Sequence, residues 1–191
     1  MIAGVEIGVR DLRAAEAFYG GLVGLRDERV RLVERAGDAG GWIDDDRQLG
    51  ERHLALYVGD VDGEAARLRA AGVEFTIDPQ DATGDVRLAF FRDPDGTLLE
   101  LLSGPPAYHR TRSPALAERE RAALPERGDP PRLAHLAITV EQPPEDDVIG
   151  ELDVDDMTIT FVDGPVPLEL FSFPDGQLLR AADGNLKAVR A

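Results

Sequence analysis

Among the side chains able to bind an ion or move a proton, His53 and His135 draw notice because each opens the same short pattern. H-L-A-L-Y-V-G-D runs from His53 to Asp60, and H-L-A-I-T-V-E-Q runs from His135 to Gln142. A looser copy, G-V-E-I-G-V-R-D, runs from Gly4 to Asp11. Strict alternation of this kind marks a half-buried strand. Leu54, Leu56 and Val58 share one face, as do Val5, Ile7 and Val9, and Leu136, Ile138 and Val140. The other face carries His53, Ala55 and Tyr57; then His135, Ala137 and Thr139; then Gly4, Glu6 and Gly8. A greasy back and a small, polar, ligand-capable front, used three times, directs the search for function to that front. Glu100 poses a related problem, because it lies within the leucine run Leu98–Leu102. An unpaired carboxylate buried among leucines costs several kcal/mol, so something must compensate it. A divalent ion held by imidazole nitrogen and carboxylate oxygen meets that need. An ion pair with an arginine such as Arg87, or open water, meets it equally.

The elements that must position these residues follow the same repeat, and repeats of this length govern how a whole chain is read. After the first strand, Asp11 is placed to cap a helix carrying Leu12, Ala15, Phe18, Tyr19 and Leu22 at helical spacing, with Gly24 as its stop. Strands are expected over Glu28–Glu34 and Gly41–Asp44. In the second unit Asp60 caps a helix with Val61, Ala65, Leu68 and Ala71 on one side, closed by Gly72. Strands then cover Val73–Ile77, Val86–Arg92 and Leu98–Leu102, with D-P-D-G at Asp93–Gly96 turning between the last two. The plan is βαβββ, used over 1–51 and again over 52–103. Residues 104–132 are rich in proline and read as a connector wrapping the first domain, with Ser113-Pro114 starting a short helix that runs to about Leu124. A third unit begins at Leu133, but E-Q-P-P-E-D-D stands where its helix should be, too short and too proline-rich to form one. Strands return at Val148–Val154, Met157–Val162 and Val166–Phe173. The tail from Pro174 shows no strong pattern. The organisation expected is therefore one domain over 1–103, a connector over 104–132, and a truncated third unit with its tail over 133–191.

Composition removes several function classes. The chain has 191 residues, a net charge of −16, and acidic runs at Asp44–Asp46 and Glu145–Asp147. Such a balance opposes the phosphate attraction behind nucleic-acid binding and opposes anionic membrane surfaces. It suits a cationic ligand. No cysteine is present, which excludes disulfides, thiolate metal sites and a thiol nucleophile. There is no phosphate-cradling glycine loop, no dinucleotide fingerprint and no G-x-S-x-G elbow. With no leader or long apolar run, a soluble cytoplasmic protein is expected.

Together H-x-x-x-x-V-x-D at His53, the F-Y at Phe18-Tyr19 with G-L at Gly24-Leu25, and the closing D-P-D-G-x-x-x-E-L at Asp93–Leu101 resemble the vicinal oxygen chelate superfamily. That superfamily includes glyoxalase I, bleomycin-resistance proteins and extradiol dioxygenases. The resemblance covers 1–103 well and 133–173 in part. It implies an α+β fold in which paired βαβββ units curve into a cup-like mixed sheet with outer helices. It also implies two ligand positions per unit: the first residue of the opening motif and a carboxylate on the closing strand. These fall on His53 and Glu100 in the second unit, and on His135 and Glu169 in the third. The first unit departs from the pattern, with Gly4 at its first position and no clear carboxylate at its second.

Two arrangements of the third unit remain open. If it shares one cup with the second, within a chain or across a dimer, the ligand set is His, Glu, His, Glu. Alternatively it is a remnant covering a sheet edge or an interface, as the loss of its helix suggests, since a shortened unit makes a poor cup wall. Glu6, two residues past the missing ligand and so about 6.6 Å along the strand, is the candidate base or direct ligand; pairing with an arginine is its ordinary alternative. Tyr57 is a candidate substrate contact, with Tyr108, His109 and Trp42 behind it. The implied function is a divalent-metal enzyme (Ni, Zn, Mn or Fe) acting on a small oxygenated substrate by isomerase, lyase or dioxygenase chemistry, with Glu6 acting on an acidic C–H. The alternatives are a bleomycin-resistance-like binder without catalysis, or an interaction module in which the third unit builds a homodimer interface.

Overall fold

A computed structural model describes residues 1–35, 43–181 and 184–191 of the chain. Among the described residues twelve strands fall into two sheets. The larger has nine strands: β3 (Gly50–Tyr57), β4 (Phe75–Asp81), β5 (Arg87–Arg92), β6 (Leu98–Ser103), β7 (Arg110–Thr111), β8 (Arg132–Thr139), β9 (Val148–Val154), β10 (Met157–Val162) and β11 (Leu168–Ser172). Their order is β4-β5-β6-β3-β8-β11-β10-β9-β7. Read outward from its middle, this order is two copies of one plan. In each, the opening strand lies parallel to the closing strand, β3 with β6 and β8 with β11, and two antiparallel strands follow. The copies meet where β3 runs antiparallel to β8. The fold is α+β, and its cup joins the second repeat to the third.

Of the two arrangements left open, the pairing is that of a shared cup, with the third repeat set beside the second. The helix of the third repeat is indeed absent, and among the described residues no helix lies between β8 and β9. Yet a helix on the convex side is not what joins the halves. The seam is a strand ladder from Gly50↔Thr139 to Tyr57↔Arg132, formed by backbone groups that any sequence supplies. Residues 1–103 contribute strands to both sheets.

The first repeat contributes the smaller sheet. β1 (Ile2–Val9) runs parallel to β2 (Val30–Glu34) and antiparallel to β12 (Leu186–Arg190). The tail therefore does carry order, because β1 leaves one edge open and Leu186 is buried against it. The strand expected over Gly41–Asp44 falls partly outside the described residues, and Ile43 and Asp44 are not in a strand. Asp11 caps α1 (Leu12–Glu16) as expected, through a hydrogen bond from the Ala14 amide at 3.0 Å. The helix then widens into π-helical turns over Ala17–Val23 and stops at Gly24, whose φ of 81° is reached most easily by glycine.

One hydrophobic core lies between the sheets. Val5, Ile7, Val9, Phe18 and Val23 from the first repeat meet Leu54, Leu56, Leu99, Leu101 and Leu136 from the back of the larger sheet. Val61 and Leu68 of α2 (Val61–Ala70) join them. The greasy faces read from the sequence are this core, and each fully buried Leu or Ile contributes roughly 1.5–3 kcal/mol. Tyr19 ties the halves with a polar contact, its hydroxyl donating to Asp93 Oδ2 at 2.8 Å in the D-P-D-G turn.

On the opposite, concave side the connector does not wrap the first domain alone. Its helix α3 (Pro114–Ala122), capped by Ser113, sets Leu116 and Ala117 against Ile149, Leu152 and Phe161 of the third repeat. Leu124 beyond it reaches Ala55, Tyr57 and Leu102 of the second. The connector thus spans both walls of the cup. Among the described residues no helix is long and apolar enough to cross a membrane.

Candidate metal centre

Four strands at the seam each carry one residue of a compact cluster: His53 on β3, Glu100 on β6, His135 on β8 and Glu169 on β11. Their register explains the convergence. Ala55 stands opposite Glu100, and Ala137 stands opposite Glu169. Each histidine precedes its alanine by two residues, on the same face, so it is a diagonal neighbour of its own unit's glutamate. The antiparallel seam then turns the two pairs toward each other, with Ala55 opposite His135. Both alanines are fully buried and leave room above them for the longer side chains.

One donor atom from each residue lies within 4.8 Å of the other three. His53 Nε2 is 3.2 Å from Glu100 Oε2 and 3.4 Å from Glu169 Oε2. His135 Nε2 is 3.3 Å from Glu100 Oε2 and 3.1 Å from Glu169 Oε2. The two imidazole nitrogens stand 3.4 Å apart. An ion bound about 2.1 Å from each donor sets neighbouring donors about 3.0 Å apart at right angles and about 3.4 Å apart at tetrahedral angles. The observed separations fall in that interval. A second observation agrees: Glu100 Oε2 is sealed from solvent and receives no well-directed hydrogen bond, although both imidazoles crowd it. These separations and the unpartnered oxygen fit a divalent cation with nitrogen and oxygen preference.

The surroundings are dry. His53 is 4% exposed and His135 5% exposed. Phe90 and Phe171 flank the His53 ring at 5.1 and 6.0 Å between centroids, and Phe161 flanks His135 at 6.4 Å. Burial alone would push both imidazoles toward the neutral form. The facing carboxylates outweigh it, raising His53 and carrying His135 up to about 10. Burial would likewise raise the two glutamates, but the imidazoles hold Glu100 and Glu169 below the usual carboxylate range. Without an ion, the cluster balances itself as imidazolium and carboxylate. Arg87, the alternative partner for Glu100, is engaged elsewhere, with Asp62 and Asp81.

Glu6 is not brought to this cluster. It lies on β1 in the separate sheet, where its carboxylate accepts from Arg31 Nη2 at 3.0 Å and Arg35 Nη2 at 2.9 Å. Tyr57 does face the cup, two residues past Ala55, with the Arg132 guanidinium 5.8 Å from its ring centre. His109 is exposed at the far edge and accepts from the Asp153 amide at 3.1 Å. Trp42 lies outside the described residues. Glu120, on α3, was not singled out from the sequence. Its carboxylate takes the hydroxyl of Tyr108, and burial raises its pKa against that bond, the charge of His135 and the hydroxyl of Tyr57. Its only sequence signal is a glutamate on an otherwise ordinary charged helix, which does not distinguish it from Glu118.

Comparison with known proteins agrees with this geometry. The family model of the glyoxalase/bleomycin resistance protein/dioxygenase superfamily matches residues 42–101. Among solved structures, the V278E mutant of glyoxalase I from Zea mays superposes with a TM-score of 0.63 at 20% identity, covering 98% of this chain and 72% of that one. Glyoxalase I from Zea mays gives 0.61 at 20% identity, covering 90% of this chain and 67% of that one. A candidate dioxygenase from Bacillus subtilis gives 0.54 at 15% identity, covering 88% and 62%. No curated protein matches the sequence. Residues 42–101 thus match the model of this superfamily, and over nearly its whole length the chain has the fold of glyoxalase I.

Proposed function

We propose that the protein is a divalent-metal-dependent enzyme acting on a small oxygenated molecule, by isomerase, lyase or dioxygenase chemistry. The convergence of His53, Glu100, His135 and Glu169 on one point carries this reading. Each histidine supplies one neutral nitrogen and each glutamate one oxygen, so a divalent ion bound there is charge-balanced inside a dry site. An ion held by these four residues would supply Lewis-acid polarisation of a pair of substrate oxygens, which would make a neighbouring C–H more acidic. The remaining work belongs to the chain. The phenyl rings of Phe90, Phe161 and Phe171 keep water from the cluster. Tyr57 and the underside of α3 bound the space beside it. With Glu6 held by two arginines, accepting the proton falls to a glutamate of the cluster.

The test is the metal content of protein purified without a histidine tag. Roughly one Ni, Zn, Mn or Fe per chain, lost in His53→Ala while the far-UV circular dichroism is retained, is the expected result. A protein that takes up none of these ions, yet binds a small molecule in the cup, would instead be a sequestering protein of the bleomycin-resistance kind.

A further inference from the structure

Beside the metal centre lies a cavity of about 300 Å³, bounded by Tyr57, Arg119, Glu120, Arg132, Ala134 and Asp163. Its charged groups are not equally satisfied. Arg119 is ion-paired with Asp163. Arg29, at the rim, is held by Asp27 and by the Pro165 carbonyl at 2.7 Å. Glu120 is engaged by Tyr108. Arg132 differs. Its Nε is sealed from solvent and meets no acceptor. Among the described residues its guanidinium has no carboxylate partner, and its contact is the face of the Tyr57 ring. A desolvated guanidinium donor with nothing to bond to is a cost that a ligand anion can remove.

We propose that this cavity is an anion subsite and that the substrate carries a carboxylate that pairs with Arg132. This rests on the metal-enzyme reading for one half only, the vicinal oxygens at the cluster. Arg132 precedes His135 by three residues on β8, about 10 Å along a strand. The carboxylate therefore stands several bonds from those oxygens. The inference reverses what the net charge of −16 suggested, a cationic ligand. Net charge describes the surface, whereas the unpaired charge inside this cavity is positive.

Two measurements test it. In metal-free protein, the Arg132 Nε–H resonance, assigned by its loss in Arg132→Lys, is followed while hexanoate is added. A saturable shift with hexanoate and none with hexanamide is expected; no shift, or equal shifts, overturns the subsite. In protein loaded with Ni or Mn, 2-oxoadipate should bind at least tenfold more tightly than 2-oxohexanoate, which lacks the distal carboxylate. Arg132→Met should abolish that preference, bringing the two ligands to equal affinity. A preference that survives in Arg132→Met also overturns it. Failure to load any metal would sink the enzyme reading alone, because the resonance experiment needs no ion.

Discussion

His53 and His135 hold their Nε2 atoms 3.4 Å apart with two carboxylates between them, and this crowding has a pH signature. The carboxylates raise both imidazoles, His135 to about 10, so metal-free His135 holds its proton at neutral pH. An incoming ion must displace that proton. Metal affinity is therefore expected to strengthen as pH rises from 6 to 9, with up to two protons released per ion, read by calorimetry in buffers of differing ionisation heat. Stability of the metal-free protein moves the other way. The raised imidazoles contribute fully below the unfolded value of about 6.5, and that contribution is lost as pH climbs toward 10. The lowered Glu100 and Glu169 contribute above about 4.3, and theirs is lost in acid. The urea midpoint of metal-free protein should thus fall between pH 6.5 and 10, and loading with metal should flatten the fall. Glu100→Gln keeps the shape and removes the charge. It should weaken metal binding by about 100-fold or more, since losing even an outer partner of a ligand typically costs about 10–100-fold.

At the scale of elements, the cup depends on contacts that a small substitution can break. Gly150 on β9 lies beneath Tyr108, and a Cβ there would stand 2.5 Å from the ring's Cγ. Gly150→Ala should push Tyr108 away, release its bond to Glu120, and cost about 1–3 kcal/mol through overpacking. A lowered urea midpoint with unchanged metal content would show that the connector, not the cluster, has moved. β12 is a second such element. It covers one edge of β1, and Leu186 is buried against the shared core. Leu186→Ala should destabilise the protein by about 2–5 kcal/mol. Because β1 lies outside the larger sheet, the four-residue cluster should still bind metal wherever the variant remains folded, as read by metal content after denaturant is removed.

The whole molecule places all four residues of the cluster in one chain. Such a set can come from one chain or from a dimer, and here the second and third repeats of a single chain suffice to assemble it. Metal content per chain is therefore expected to stay constant on dilution through any change of oligomeric state, measured by sedimentation alongside metal analysis. A loss of metal that tracks dissociation into single chains would refute this. The same assembly explains the first repeat. Lacking both ligand positions, it uses its greasy face to back the larger sheet, and its front carries the Glu6–Arg31–Arg35 pairs rather than chemistry.

Periodicity alone settled which residues face inward. Strict alternation at His53–Val58 and His135–Val140 assigned the leucines to the core and the histidines to the front, because a strand turns successive side chains to opposite sides. The capping aspartates Asp11 and Asp60 and the D-P-D-G turn were legible for a similar reason: their preferences act within a few residues. What the sequence left open was which repeats pair, since backbone ladders are nearly blind to side-chain identity and the missing helix argued the wrong way. Only the tertiary structure joined β3 to β8, removed Glu6 to another sheet, brought the tail back as β12, and set Arg132 beside a cavity with its donor unmet. Each of these depends on residues far apart in the chain becoming neighbours, and no local pattern encodes such a distance.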